Sequence, residues 1–172
     1  MDMTIRFGVV YWITGLSAAG KSTLARHLRQ ALTARGRNAI LVDGDAVRTL
    51  LPGRSAYDRA ARLEIALFNG RLCLFLAEQG LDVVCATISL FHECQAWNRA
   101  NIPTYREIYL KVPLEELARR DTKNLYQGAT NVVGVDIPAE EPLNPDFLFD
   151  HADGLSAAEM TAILLNQPMV TA

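Results

Sequence analysis

The chain lacks any apolar run long enough to cross a bilayer. Its longest, residues 7–14 and 81–86, are strand-sized, against the roughly 20 residues a spanning helix needs. It lacks a disulfide framework, because three cysteines, Cys73, Cys85 and Cys94, cannot all pair, and they lack the paired spacing of a zinc site. Cys73 and Cys85 read instead as small buried hydrophobes. The three histidines, His27, His92 and His151, show no ligand spacing and read as surface or packing residues. Positive charge is also short: 17 Lys and Arg face 19 Asp and Glu, for a net charge of −2. That balance gives no footing for nucleic acid or an acidic membrane as partner. Residues 1–6 carry Asp2 and lead straight into a strand, unlike a secretory signal, so the cytoplasm is the expected compartment. No repeat, low-complexity run or linker divides the sequence, and half of it is hydrophobic. Residues 1–172 therefore read as one domain.

What is present is an alternation of strands and helices. Residues 9–14 (VVYWIT) form a continuous β-branched and aromatic run, as expected of a strand buried on both faces. Helical periodicity follows over 21–35 through Leu24, Leu28 and Leu32, with Gly36 as the stop. Residues 39–42 read as a second strand ending at the Asp43-Gly44-Asp45 turn, and 57–79 as a long amphipathic helix closed by Gly80. A third strand (83–87), a helix (90–100), a fourth strand (107–112) and a helix opened by Pro113 come next. Residues 121–145 show no periodicity and are broken by Gly128, Gly134, Pro138, Pro142 and Pro145, which reads as a functional lid. A short strand at 147–149 and a helix opened by the Ser156/Glu159 capping box complete the chain. The expected fold is α/β: a three-layer P-loop NTPase fold with a parallel sheet flanked by helices and a lid segment. Ligands of such sheets sit beyond the carboxyl ends of the strands.

Residues 15–22, GLSAAGKS, match G-x-x-x-x-G-K-[ST] in full, between a buried strand and an amphipathic helix. In this cradle, Gly15, Ser17, Ala18, Ala19, Gly20 and Thr23 offer backbone N–H groups to phosphates at the positive end of the helix. Lys21 bridges the β- and γ-phosphates, and Ser22 holds Mg²⁺ through its hydroxyl. No N-K-x-D tetrad is present, which argues against a GTPase. No apolar strand ends in an Asp of the usual second metal-binding motif, since Asp82 precedes its strand. Asp43 and Asp45, after the second strand, are left as the acidic partners for metal and acceptor hydroxyl.

These residues resemble the adenylylsulfate (APS) kinase family. Residues 15–24 resemble its GLSGSGKSTL and 43–48 its DGDNVR. Asp58-Arg59 matches its DR, 87–89 its S-x-I-S strand end, 120–126 its RDxKGLY lid, and 134–142 its GIDxPYExP. The resemblance implies transfer of the γ-phosphoryl of ATP, with Mg²⁺, to the ribose 3′-hydroxyl of adenylyl sulfate, and a homodimer. It places Lys21, Asp43 and Asp45 in catalysis, with Asp45 and Ser22 near the metal, and Arg120 and Lys123 over the nucleotides. It places Arg48 and Arg59 on the phosphate-sulfate tail, since guanidinium forks suit planar oxyanions. Ile88, Ser89, Leu125 and Val132 fall at its acceptor-binding positions.

The pattern departs from the family where the acceptor's base would lie. Arg54 and Val132 stand at the positions of two stacking phenylalanines, and stacking is worth roughly 1–3 kcal/mol per base face. The family's N-x-R-R is replaced around Arg62, Glu64 and Ile65, Leu90 stands for a proline, and Asn124 for the lid glycine. A relative of the family phosphorylates cytidine diphosphoramidate in capsule modification, and residues 88–91 and 131–137 are similar to its I-S-L-F and N-V-V-G-V-D-I. Adenylyl sulfate, hence sulfate activation, is the expected acceptor, with the cytidine compound as its rival. A nucleotide sensor without turnover fits less well, because Lys21, Ser22, Asp43, Asp45 and Arg48 all remain. A sugar kinase is disfavoured by the DGDxVR run and the lid.

Overall fold

The computed structural model describes residues 6–51, 56–121 and 130–167. Five strands, β1 (Val10–Thr14), β2 (Ala39–Asp43), β3 (Asp82–Ala86), β4 (Tyr105–Lys111) and β5 (Phe147–Asp150), form one parallel sheet in the order β2-β3-β1-β4-β5. Central β1 and its neighbour β3 are buried at every position, which explains their unbroken apolar runs. Alternation divides β1 between two cores. Tyr11 and Ile13 meet α1 (Lys21–Ala34) and α6 (Ala157–Asn166) on one face. Val10 and Trp12 meet α3 (Arg59–Glu78) and α4 (His92–Asn101) on the other. Each helix turns its apolar stripe inward, as α1 does with Leu24, Leu28 and Leu32.

Register brings the functional ends together. Asp43 pairs with Ala86 and Ile13 with Ala86, so the carboxyl ends of β1, β2 and β3 share one edge. At the other end, Asp82 accepts from the Val9 N–H at 2.9 Å and pairs with Arg37 at 2.5 Å. That places Asp82 at the opposite end from this edge, as its position ahead of the strand implies.

Several elements differ from the sequence reading: β4 starts at Tyr105 rather than 107 and α3 at Arg59 rather than 57. The Asp43-Gly44-Asp45 turn opens a helix, α2 (Gly44–Leu50), because Asp43 Oδ1 accepts from the N–H groups of Asp45 and Ala46 at 3.0 and 3.2 Å. α4 begins at His92 rather than at 90, since Leu90 and Phe91 are core residues ahead of the helix. The helix opened by Pro113 is α5 (Leu114–Arg120). Ser156 and Glu159 form the expected capping box. Of the expected lid, residues 122–129 lie outside the described residues. In the remainder, the Val132 carbonyl accepts from the N–H groups of Val135, Asp136 and Ile137, and the Glu140 N–H donates to Leu90 O at 3.1 Å.

Candidate active site

After Thr14 the chain turns sharply into α1. A Cβ at Gly15 would stand 2.7 Å from Leu110 O, so only glycine lets the loop leave the sheet here. Ala18 lies at φ +62, a left-handed conformation costing a non-glycine residue about 1–2 kcal/mol. Gly20, at φ +96, then opens α1 without a capping side chain, and its carbonyl accepts from the N–H groups of Thr23 and Leu24 at 3.1 and 3.0 Å. Lys21 Nζ donates to Leu16 O at 2.6 Å, folding the ammonium back along the loop. Ala19 points the other way: its methyl enters the core and its N–H donates to Leu16 O at 3.3 Å.

A cleft of about 300 Å³ is lined by Ser17, Ala18, Gly20, Lys21, Ser22, Thr23, Asp43, Asp45, Ile88 and Arg120. Most residues assigned to the phosphate cradle are therefore gathered in one place. Ser22 Oγ donates to Asp43 Oδ2 at 3.4 Å, and Asp45 sits in the first turn of α2 beside it. These hydroxyl and carboxylate oxygens are hard donors, the set that suits Mg²⁺ shared with phosphate and water. Arg120 reaches the cleft from the end of α5, held by Glu116 at 2.7 Å and by His151 Nδ1 at 3.2 Å. The Arg120 guanidinium lowers the Glu116 pKa.

A second, narrower cleft of about 50 Å³ shares Asp45, Thr87 and Ile88 with the first. Arg48, Arg62 and Ser89 line it, with Ile65, Phe91 and Val133 as apolar walls. Thr87 Oγ1 and Ser89 Oγ are 2.7 Å apart, and the Thr14 hydroxyl donates to Ile88 O, which fixes the strand end between the clefts. Asp45 thus stands on the wall that the two clefts share.

Arg48 and Arg62 stack on the Tyr57 ring, at 4.1 and 5.3 Å from its centroid. Arg62 also donates to Tyr57 O and Asn131 O, both at 2.8 Å. Burial, and after it the charge of Arg48, lowers the Arg62 pKa. Guanidinium donors held this close are of the kind that suits a planar oxyanion.

Sequence reasoning did not assign Arg62, Tyr57, Thr87, Phe91 or Val133 to the site. Arg62 stands where the family pattern is broken, and only the fold brings it to Arg48. Arg59, expected on the acceptor's tail, lines neither cleft. It pairs with Glu140 at 2.5 Å and lies over the Phe91 ring at 5.4 Å. Val132 is likewise off the wall: its N–H donates to Asp136 Oδ2 at 2.9 Å, and Val133 faces the second cleft. Lys123, Leu125 and Arg54 lie outside the described residues.

The sequence model of the adenylylsulphate kinase family matches residues 7–150. The chain belongs to that family. Like its relatives, it is a kinase, a phosphotransferase with an alcohol group as acceptor. The cytidine diphosphoramidate kinase of Campylobacter jejuni is 41% identical over 138 residues, 77% of this chain and 81% of that protein. The adenylyl-sulfate kinase of Deinococcus deserti is 40% identical over 148 residues, 81% of this chain and 80% of that one. The Mycobacterium tuberculosis APS kinase CysC, solved in complex with AMPPNP and APS, is 30% identical. It superposes with a TM-score of 0.85, covering 92% of this chain and 96% of that one. Relatives named for two different acceptors therefore lie at almost equal identity to this chain.

Proposed function

We propose that the kinase transfers the γ-phosphoryl group of Mg-ATP to the ribose 3′-hydroxyl of a nucleotide with an anhydride-type 5′ tail, cytidine diphosphoramidate first. The observation that carries the acceptor class is the Asp45 carboxylate on the wall shared by the two clefts, with the Arg48/Arg62 pair beside it. With one ring, Phe91, and aliphatic Ile65 and Val133 on its described walls, the second cleft offers no two-sided aromatic clamp, on which a smaller base depends less. Adenylyl sulfate is the second reading, favoured by the adenylyl-sulfate kinases at similar identity.

Donor phosphates would lie along 15–23, with Lys21 neutralising the β- and γ-phosphates and Arg120 above them. Magnesium, held at Ser22 with Asp43 or Asp45, would supply further charge neutralisation there. Asp45 takes the proton of the acceptor hydroxyl as its oxygen bonds to the γ-phosphorus and the β–γ bridging bond breaks, releasing ADP. Arg48 and Arg62 hold the acceptor's tail, fixing the hydroxyl in line.

ADP release should be measured with Mg-ATP and each acceptor in turn. Turnover with cytidine diphosphoramidate above the acceptor-free background is expected. Turnover with adenylyl sulfate alone would shift the acceptor to the second reading. Protein that binds ATP yet turns over neither would overturn both.

A further inference from the structure

Asn69, in the middle of α3, is completely buried, and neither its Nδ2 nor its Oδ1 has a hydrogen-bond partner among the described residues. The residue lies on the wall of the second cleft, its amide just beneath the surface. Native proteins leave few buried amides unpaired, because the desolvation is then uncompensated. Among the described residues, no contact calls for an amide here. The neighbouring positions on the same helix face, Ala66 and Cys73, are buried core residues.

Arg62, Ile65 and Asn69 follow i, i+3, i+7 spacing and present one face of α3 to the cleft. The face is therefore graded, from guanidinium through aliphatic to amide. An anionic tail suits the first, a flat ring between Ile65, Phe91 and Val133 the second. A ring edge carrying one donor beside one acceptor suits the last, because an amide offers the complementary pair.

We infer that Asn69 reads the donor–acceptor edge of the acceptor's nucleobase, its Oδ1 accepting from an exocyclic amino group and its Nδ2 donating to the adjacent ring nitrogen. The inference rests on the nucleotide acceptor proposed above. Cytosine and adenine both present that edge, so Asn69 selects an amino-bearing base of either size.

The test compares nucleotides that keep or lose the amino group. With Mg-AMPPNP saturating the donor site, calorimetry would measure cytidine 5′-diphosphate against its analogue with hydrogen in place of the 4-amino group. The matching adenosine and purine-riboside pair is measured beside it. In the unaltered protein the amino-bearing member of the preferred pair should bind about tenfold more tightly, one hydrogen bond's worth. In Asn69→Leu that ratio should fall to near one, while AMPPNP affinity is kept and the melting temperature rises with the unpaired amide gone. If the leucine is too large to fold, Asn69→Ala is read by the same ratio. A ratio that survives either substitution overturns the inference, as does no preference in the unaltered protein. An amide that holds only an ordered water gives that second result. Turnover is scored separately. A protein with the expected ratios but no phosphoryl transfer would sink the acceptor reaction and leave Asn69 its base.

Discussion

The Ser22 hydroxyl, in the first turn of α1, donates to the Asp43 carboxylate at the end of β2, 3.4 Å away. The other oxygen of that carboxylate caps α2 through the Asp45 and Ala46 N–H groups. One side chain therefore ties the phosphate loop to the helix that carries Asp45. Asparagine caps as well as aspartate but carries no charge. Asp43→Asn should keep the melting temperature while slowing phosphoryl transfer on the order of 10²-fold. Asp43→Ala should add about 1 kcal/mol of lost capping, seen as a fall of roughly 2–4 °C. Equal melting of the two variants would mean that the cap contributes nothing.

Asp45 is the carboxylate on the wall between the clefts. A group that receives a proton only as the new bond forms stabilises the transferring state and not the bound donor. Asp45→Asn should cut kcat by about 10²–10⁴ and leave KM for ATP near its original value. A raised KM for ATP with kcat intact would move Asp45 to simple metal binding.

How far the sequence disclosed this site depends on how local each feature is. The phosphate loop was legible because its chemistry lies within consecutive residues 15–23, and β1 and α1 on either side announce themselves by periodicity. Helix α2 was not, because seven residues beginning with Gly44 carry too little pattern. Its start depends on a side-chain cap that a turn could equally provide. Arg59 matched a family position, yet its partner, Glu140, is 81 residues away and recruits it to residues 130–145. Arg62 was passed over for the complementary reason: it departs from the pattern locally, and only the packing of α3 beside α2 sets it next to Arg48.

Gly44 tests how tightly that packing is set. A Cβ there would come 2.8 Å from Thr87 Oγ1 and 3.0 Å from Thr87 Cβ. Gly44→Ala should destabilise by about 1–3 kcal/mol through overpacking and displace the Thr87–Ser89 hydrogen bond from between the clefts. Adding Thr87→Ala should recover part of the melting temperature without restoring activity. The two changes share one contact, so their effects should not add. Additive effects would place the strain elsewhere.

Glu140 gives the pH dependence. The Arg59 hydrogen bond first, and the His92 N–H second, lower its pKa. A carboxylate with a lower pKa folded than unfolded stabilises above its unfolded value, and that stabilisation is lost as pH falls through the folded one. With Arg59 half exposed, the pair is worth under about 1 kcal/mol near neutral pH. Glu140→Gln should therefore melt up to a few degrees lower than the unaltered protein at neutral pH, and the gap should begin to narrow below the ordinary glutamate value of about 4.3 and vanish once pH falls past the lowered folded value, where both carry an uncharged side chain. The same variant should loosen residues 130–145 from the start of α4, raising KM for the acceptor more than KM for ATP. A melting gap that persists into acid would mean that Glu140 acts through packing or neutral hydrogen bonds, and Arg59 would then be released for the role in tail binding that its family position implies.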